Sequence, residues 1–380
     1  MGDLLAARWL QSRLRAGRST MPKKWAFSLI GAVLSGALVL AQEPSTAALI
    51  EDGHYKRARI ILNQRLKANP NEARSLCEMS KIAEAFASWD EAISDADKAV
   101  SLDRKNAEFQ AALADALGSK LSAARLGMFA QVSLAHRFKK EAELALELDP
   151  NNIEANEDLM EFHLDAPALV GGDKKKAAEL AERMVQVNPV RGYLMQIEFA
   201  THEKNRGGLE SLFEQAIRAG PTNYYVRVEA ASYYLESGGT FVAQAEGQAR
   251  EAIAINPSRI GAYTILAMLY AQQGRWKDLD SVLESSERAV SDDLTPFYQA
   301  AKGIYTGNRA EELTRAEKYL RLYLSQPPEG NEPSAANAHW RLGLILEKEG
   351  HKALAREELH QAVNLDPQFE PAKQDLKRFE

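Results

Sequence analysis

A short phrase that ends in proline recurs along this chain, and it constrains the fold more than any other feature. The clear copies are Ala-Asn-Pro at 68–70, Leu-Asp-Pro at 148–150, Val-Asn-Pro at 187–189, Ile-Asn-Pro at 255–257 and Leu-Asp-Pro at 365–367. Weaker copies are Leu-Asp-Arg at 102–104, Ala-Gly-Pro at 219–221 and Gln-Pro-Pro at 326–328. Successive copies are mostly 32 to 46 residues apart. A period in this range predicts stacked supersecondary units rather than separate globular domains, and it makes binding the default function.

The unit at 336–369 shows what one period contains. Leu342-Gly343 lies in a first predicted helix, and Gly350 follows that helix where a turn often needs positive φ. The second predicted helix places three small or apolar residues on one face through steps of four and three: Ala355, Leu359 and Ala362. Asp366-Pro367 ends that helix because a residue before proline is pushed away from helical angles. The period therefore predicts a pair of helices joined by a tight turn.

The units resemble tetratricopeptide repeats, whose 34-position pattern runs Leu-Gly, Tyr, Gly, Ala, a bulky residue, Ala and Pro. In the unit at 73–106 the matching residues are Leu76, Met79, Ser80, Trp89, Ala92, Ala96 and Ala99. In the unit at 260–293 they are Tyr263, Leu266, Ala267, Tyr270, Gly274, Trp276 and Leu283. The resemblance covers roughly residues 44–380 in about nine units. It implies an all-α, right-handed superhelical solenoid of helix-turn-helix repeats.

Two units depart from the period, and both departures are insertions. Extra residues fall near 119–137 and near 167–176, within a solenoid that we place at 42–367. Insertions in repeat arrays map to loops on one face, which is often the binding face. The alternative is tolerated loop drift, because loops accept insertions at little entropic cost. The tail at 368–380 is predicted to be a capping helix with a polar outer face.

The N-terminal 41 residues have the pattern of a secretory signal. A basic stretch precedes 25–41, which carries no charge and ends in Val-Leu-Ala before Gln42. Residues 21–41 alone form a complete signal peptide, so 1–20 are interpreted as a mis-called start or a basic extension. Cleavage after Ala41 and retention of 25–41 as a membrane anchor remain open, since seventeen residues is at the short edge of a spanning helix. In both cases the repeats are expected to be exported, to a bacterial periplasm or outside the cell.

Net charge and cysteine content limit the classes of partner and the compartment that we expect for this chain. The net charge of −6 becomes about −11 once 1–41 are removed. An acidic array is a poor candidate for binding nucleic acid or anionic membranes. The single cysteine forms no intrachain disulfide, and the absence of a glycosylation sequon favours a bacterial envelope over a eukaryotic lumen.

The sequence gives no pattern for catalysis, a metal or a cofactor. None of the seven histidines has a histidine partner at i, i+4, and none adjoins Cys77, which is interpreted as a free thiol. The run Gly171 to Lys176 lacks the spacing of a phosphate loop and is interpreted as a turn and a helix start. We therefore expect no enzyme activity, no cofactor and no small-molecule substrate.

The resemblance places a binding groove on the first helices of the repeats. By position, the groove candidates are Cys77, Lys81, Glu84, Glu157, Glu161, Tyr225, Glu229, Ser232, Thr264, Met268, Gln272, Trp340, Arg341 and Leu344. The Lys/Asn/Arg set that clamps a terminal carboxylate in chaperone-binding relatives is not reproduced. Acidic residues from Glu154 to Asp165 would suit a basic or polar partner segment, although a solvated helix face explains them equally well.

These observations predict a non-catalytic scaffold or adaptor of the cell envelope that binds a peptide or helix of another protein. The first alternative is a structural component that assembles with itself or stabilises an envelope machine. A remote alternative is a carbohydrate-binding or enzymatic module built on the solenoid.

Overall fold

The structure is a computed structural model that describes residues 44–124, 126–330 and 333–379. The predictions for 1–20, 21–41 and 25–41 lie outside the described residues. Within these ranges the chain forms nineteen α-helices and no strand, which confirms the all-α prediction. None of these helices has both the length and the apolar character that a membrane span requires.

The helices form nine consecutive pairs and a final cap, as the sequence period predicts. The pairs are α1 (Thr46–Asp52) with α2 (Tyr55–Ala68), α3 (Ala73–Ala85) with α4 (Trp89–Leu102), α5 (Ala107–Ala123) with α6 (Met128–Leu148), α7 (Ile153–Asp165) with α8 (Lys174–Val187), α9 (Pro189–His202) with α10 (Leu209–Ala219), α11 (Tyr224–Ser237) with α12 (Val242–Ile255), α13 (Gly261–Gln273) with α14 (Trp276–Ala289), α15 (Thr295–Thr306) with α16 (Leu313–Tyr323), and α17 (Ala335–Lys348) with α18 (Lys352–Leu365). The cap is α19 (Glu370–Leu376). The pairs are called repeats 1 to 9 below.

The recurring phrase ends the second helices in the predicted way. Asn69, Asn188 and Asp366 each follow the last helical residue in extended backbone, with φ of −137°, −144° and −134°. The proline that follows enforces this conformation, because it disfavours helical angles in the preceding residue. Asn188 also begins α9, since its side chain accepts a hydrogen bond from the backbone N–H of Arg191. One phrase therefore ends one repeat and starts the next.

Small residues at the helix crossings let the paired helices approach closely. Ala355 and Ala362 are fully buried on α18, as predicted from their spacing. On the facing helix, a Cβ added to Gly343 would lie 2.9 Å from Cγ of Leu359. No side chain fits at that distance without displacing its neighbour, so Gly343 sets the separation of α17 and α18.

The turn between the two helices of a repeat often contains a residue with positive φ. Gly53, Gly274 and Gly350 take this role at 87°, 70° and 87°. Ala87 and Asn308 take it in other repeats at 55° and 53°. Because a Cβ is strained in this region, Ala87 stores backbone strain that a glycine would not.

The two insertions differ in structure. The extra residues near 119–137 are mostly helical and lengthen both helices, since α5 ends at Ala123 and α6 begins at Met128. The insertion near 167–176 is a connection that contains the short 3-10 turn Ala168–Val170. Asp173 then caps α8 by accepting hydrogen bonds from the backbone N–H groups of Lys175 and Lys176. Both insertions lie at the turn between the first and second helices of their repeats.

Repeat 1 contacts loops that lie more than 170 residues away along the chain. The guanidinium of Arg259, in the loop before α13, donates to Glu51 at 2.7 Å and to Asp52 at 2.6 Å. The hydroxyl of Tyr225 donates to the carbonyl oxygen of Glu51 at 3.0 Å. The turn of the first repeat is thus fixed to the loop between repeats 6 and 7.

A second group of contacts extends this closure to repeats 8 and 9. Arg57 pairs with Asp292 at 2.6 Å, and the backbone N–H of Lys56 donates to Glu329 at 2.7 Å. His54 and Arg57 lower the pKa of Asp292, although burial of this carboxyl opposes them. Burial raises the pKa of Glu329 to about 7 against the opposing charge of Lys56. The winding therefore brings the first repeat back against the loops of the last four, and charged side chains hold this contact, which we call the closure.

Candidate functional site

The candidate site is the face formed by the first helices of the repeats. None of the fourteen predicted groove residues is fully exposed. The buried ones are Cys77, Glu84, Glu161, Tyr225, Arg341 and Leu344. The partly exposed ones are Lys81, Glu157, Glu229, Ser232, Thr264, Met268, Gln272 and Trp340.

In the N-terminal repeats, ion pairs between first helices occupy this face. Lys81 on α3 pairs with Glu154 on α7 at 2.7 Å and so joins repeats 2 and 4. Arg191 on α9 donates to Glu157 on α7 through Nε at 2.8 Å, and a second hydrogen bond joins the same two side chains. The acidic stretch from Glu154 to Asp165 is thus already neutralised at Glu154 and Glu157 by cations of the same chain.

Cys77 and Glu84 are enclosed rather than open to a groove. The thiol of Cys77 packs with Leu76 and Phe109 and is 1% exposed. Burial raises its pKa to about 12, so it is a protonated, unreactive thiol at neutral pH. The carboxylate of Glu84 accepts a hydrogen bond from the hydroxyl of Ser119 at 2.9 Å. Sequence position placed both on the correct helix but did not reveal their burial, because neighbouring repeats cover them.

Tyr225 belongs to the closure. Its hydroxyl bonds to repeat 1, and the guanidinium of Arg259 lies 4.5 Å from the centre of its ring. Sequence reasoning missed Arg259, since a single arginine beside a proline turn is ordinarily a solvated surface charge. Tyr225 therefore has a structural partner that accounts for its burial.

Polar candidates on α13 mostly bond within the array. Thr264 donates to the carbonyl oxygen of Ile260 at 3.0 Å, one turn earlier in the chain. Gln272 donates to the hydroxyl of Thr306 at 3.3 Å and so links α13 to α15. Met268, between them, is partly exposed and offers an apolar, adaptable contact.

The face of α15 and α17 has a different character. Arg341 is 8% exposed, and its Nε donates to the hydroxyl of Tyr298 at 3.3 Å. Trp340 donates through its indole N–H to Asp375 of the cap at 2.6 Å, so it fastens α17 to α19. Leu344, one turn after Arg341, is 7% exposed. This region thus holds a buried guanidinium that is bound to a neutral hydroxyl.

Two further cations lie on this face that sequence reasoning did not identify. Lys302 follows Tyr298 by one turn on α15, and Lys348 follows Arg341 by two turns on α17. The ammonium of Lys348 lies 4.1 Å from the ring centre of Tyr305. Burial lowers the pKa of Lys302, and the charge of Arg341 lowers it further. The sequence offers one signal of this face, which is the helical spacing of Tyr298, Lys302 and Tyr305.

The described residues show little that points to chemistry. No group of three or more His, Cys, Asp or Glu residues among them could hold a metal ion. A pocket of about 330 Å³ opens beside the loop after α16, where Tyr323, Gln326, His339 and Leu365 contribute to its lining. His339 in this pocket pairs with Glu358 at 2.6 Å.

Comparison with known proteins shows similarity to solved structures in the course of the backbone and a family match for one repeat. No curated protein matches the sequence. The chain is similar in structure to yeast Tom70, with 16% identity, a TM-score of 0.48, and coverage of 88% of this chain and 79% of that one. It is also similar to the human IFIT1 dimer with m7Gppp-AAAA, with 17% identity, a TM-score of 0.47, and coverage of 88% and 79%. A third similar structure is PilW, a widely conserved type IV pilus biogenesis factor, with 19% identity, a TM-score of 0.44, and coverage of 60% and 99%.

One segment matches a family directly. Residues 336–369 match the model of the tetratricopeptide repeat. This segment spans α17 and α18, the same unit whose spacing showed the period most clearly. Residues 336–369 therefore have the pattern of a tetratricopeptide repeat, and the eight helix pairs before them share its helix-turn-helix arrangement.

Proposed function

We propose that this protein is a non-catalytic scaffold that binds a segment of another protein on the first helices of its C-terminal repeats. The observation that carries the proposal is the contrast between the two halves of this face. Lys81 and Arg191 in the N-terminal half are paired with carboxylates of the same chain. Arg341 and Lys302 in the C-terminal half have no such carboxylate within ion-pair distance among the described residues.

The contrast supports binding because buried charge is costly without a partner. A cation removed from water loses several kcal/mol of hydration unless a carboxylate or strong acceptors compensate. A neutral hydroxyl compensates Arg341 only in part. A partner segment that brings acceptors to this face would gain from that unmet interaction, and the partly exposed Met268 adds apolar contact area.

We also propose that the scaffold acts in the bacterial cell envelope. The support is the signal-like sequence of 21–41, and the protein is either released after Ala41 or held by 25–41. Fractionation of cells that express the full chain, with mass analysis of its N-terminal peptide, tests this. A peptide that begins at Gln42 in the periplasmic fraction supports release, whereas a protein confined to the cytoplasm overturns the proposal.

Site-specific crosslinking in cells tests the binding proposal. A photoreactive amino acid at position 268 would sit on the proposed face, and one at Glu357 would sit exposed on the second helix α18 as the matched control. We expect one dominant protein crosslinked from position 268 and not from position 357. Equal capture at both positions, or none at position 268, would refute binding on this face.

A second function has one observation in its favour. Met128 and Phe129 at the start of α6 are 75% and 92% exposed, and Leu169 in the other insertion is 96% exposed. Large apolar side chains exposed in this way favour contact between protein molecules. The candidate is a structural component that assembles with itself, and light scattering after size exclusion tests it. A stable oligomer that becomes monomeric with Phe129→Ser would support self-assembly over the adaptor.

A further inference from the structure

The first helices of repeats 8 and 9 carry three cations on one connected strip. On α15, Tyr298, Lys302 and Tyr305 are spaced by four and three residues and share a face. On α17, Arg341 and Lys348 are seven residues apart and also share a face. The hydrogen bond from Arg341 to Tyr298 and the contact of Lys348 with the ring of Tyr305 join the two faces. We call Tyr298, Lys302, Tyr305, Arg341 and Lys348 the cationic strip.

Aromatic rings hold two of these cations in place. The guanidinium carbon of Arg341 lies 5.6 Å from the ring centre of Tyr298 and 5.2 Å from that of Trp340. The ammonium of Lys348 lies 4.1 Å from the ring centre of Tyr305. Such contacts fix the position of a cation while leaving N–H donors free for a ligand.

The acidic residues near the strip do not neutralise it. Glu347 and Asp375 are the acids whose charges reach Tyr305, and Arg378 forms ion pairs with both of them. Glu236 on α11 also acts on Lys302, but more weakly than burial and Arg341 do. Lys302 is consequently a partly buried lysine whose surroundings favour loss of its proton.

An anion placed against the strip would relieve this electrostatic stress. We propose that the strip binds side-chain carboxylates of an acidic protein segment, with Arg341 and Lys302 at one carboxylate and Lys348 at another. This inference rests on the proposed function and names the chemistry of its partner. The spacing suits such a ligand: Arg341 and Lys348 are separated by about 10 Å along the helix axis, the rise of seven helical residues. Two acidic residues three positions apart in an extended segment span about the same distance.

Overall charge favours an acidic protein segment over a nucleic acid. The chain is net acidic, with a formal charge of −6. Polyanions depend on many phosphate contacts and on a long-range positive field, which an acidic protein does not supply. A short segment with two or three carboxylates needs only the local strip, and its apolar residues can pack on the partly exposed Met268.

Fluorescence anisotropy with the full-length protein tests the inference. The probe is a labelled ten-residue peptide with two Glu–x–x–Glu pairs among leucine and alanine, amidated so that it has no terminal carboxylate. Its glutamine analogue and a ten-nucleotide single-stranded DNA are the comparison ligands. We expect the glutamate peptide to bind at least tenfold more tightly than the other two. Equal binding of both peptides, or tighter binding of the DNA, would overturn the inference.

Variants locate the binding. Lys302→Met and Lys348→Glu each remove one cation. We expect each substitution to lower the affinity for the glutamate peptide by tenfold or more. Lys352→Glu, exposed on α18, is the matched control and should leave the affinity unchanged. Circular dichroism melts verify that each variant folds. Unchanged affinity in both strip variants would contradict the assignment.

The crosslinking experiment separates this inference from the proposed function. The double variant Lys302→Met/Lys348→Glu, with the photoreactive group at position 268, should lose the dominant crosslinked partner. If the partner is retained, the scaffold function stands and the acidic-segment inference fails. If the unmutated protein crosslinks nothing from position 268, the proposed function itself fails.

Discussion

The closure makes a quantitative prediction through Arg259. Replacing Arg259 with alanine removes two charge-assisted hydrogen bonds, at 2.6 Å and 2.7 Å, from Asp52 and Glu51. Breaking a fully buried ion pair costs about 3–5 kcal/mol. The side chains of Glu51 and Asp52 are 25% and 22% exposed, so water compensates part of this loss. We therefore expect repeat 1 to lose about 2–3 kcal/mol of its docking free energy, allowing for this discount.

Hydrogen exchange measures this local loss. Amides of 46–68 exchange when repeat 1 opens, and the opening equilibrium sets their protection. A loss of about 2–3 kcal/mol corresponds to exchange that is roughly 30- to 140-fold faster, since about 1.4 kcal/mol is a factor of ten. Peptides from 335–365 should keep their protection, because Arg259 does not contact α17 or α18.

The matched control is Arg275→Ala. Arg275 has the same kind of surroundings as Arg259, with Glu246 at 2.5 Å, Asp278 at 2.7 Å and the ring centre of Tyr270 at 4.4 Å. It lies within repeats 6 and 7 and does not touch repeat 1. Faster exchange of 46–68 in Arg275→Ala, or unchanged exchange there in Arg259→Ala, would refute the closure as an arginine-dependent contact.

Three further predictions concern stability. Ala87→Gly should raise stability by about 0.5–1 kcal/mol in thermal unfolding, because glycine adopts the positive φ of this turn without strain; a lower melting temperature would contradict this. Gly343→Ala should lose about 1–3 kcal/mol by overpacking, whereas Gly247→Ala, in open space within α12, should be neutral or stabilising; equal losses would contradict the packing argument. Glu329 has a pKa of about 7 in the folded protein against an ordinary value of 4.5. Its contribution to the free energy of unfolding is therefore present below pH 4.5 and lost as pH rises through 7. Glu329→Gln should therefore gain up to about 3 kcal/mol relative to the unmutated protein between pH 5 and pH 8, and parallel pH profiles would refute this.

The local architecture was predictable because it depends on short-range pattern. The proline phrase at 365–367, the crossing residues of 336–369 and the cap of α8 by Asp173 all follow from neighbours within a few positions. The residues near 119–137 were less informative. Their period was obscured by the extra length, and nothing in the spacing distinguished two lengthened helices from a loop.

The closure was beyond prediction from sequence for a different reason. Glu51 and Arg259 are separated by 208 positions, and no local period connects them. Their contact depends on how tightly the array winds, which is the sum of small rotations between successive repeats. A small change in each rotation would carry repeat 1 past the loops at 256–259. Charged side chains at such a distance are indistinguishable in sequence from solvated surface charges.

The same reasoning explains why we place the proposed binding surface at one end of the array. The fold of each repeat fixes its contacts with its neighbours. It does not dictate which charged residues the first helices carry or how these residues pair. Where those charges meet opposite charges of the same chain, as at Lys81 and Glu154, they stabilise the winding and have little left to offer a ligand. Where they meet only aromatic rings and hydroxyls among the described residues, as at Arg341, no carboxylate there compensates the charge. We therefore place the proposed binding surface where this internal pairing stops among the described residues, between α15 and α17.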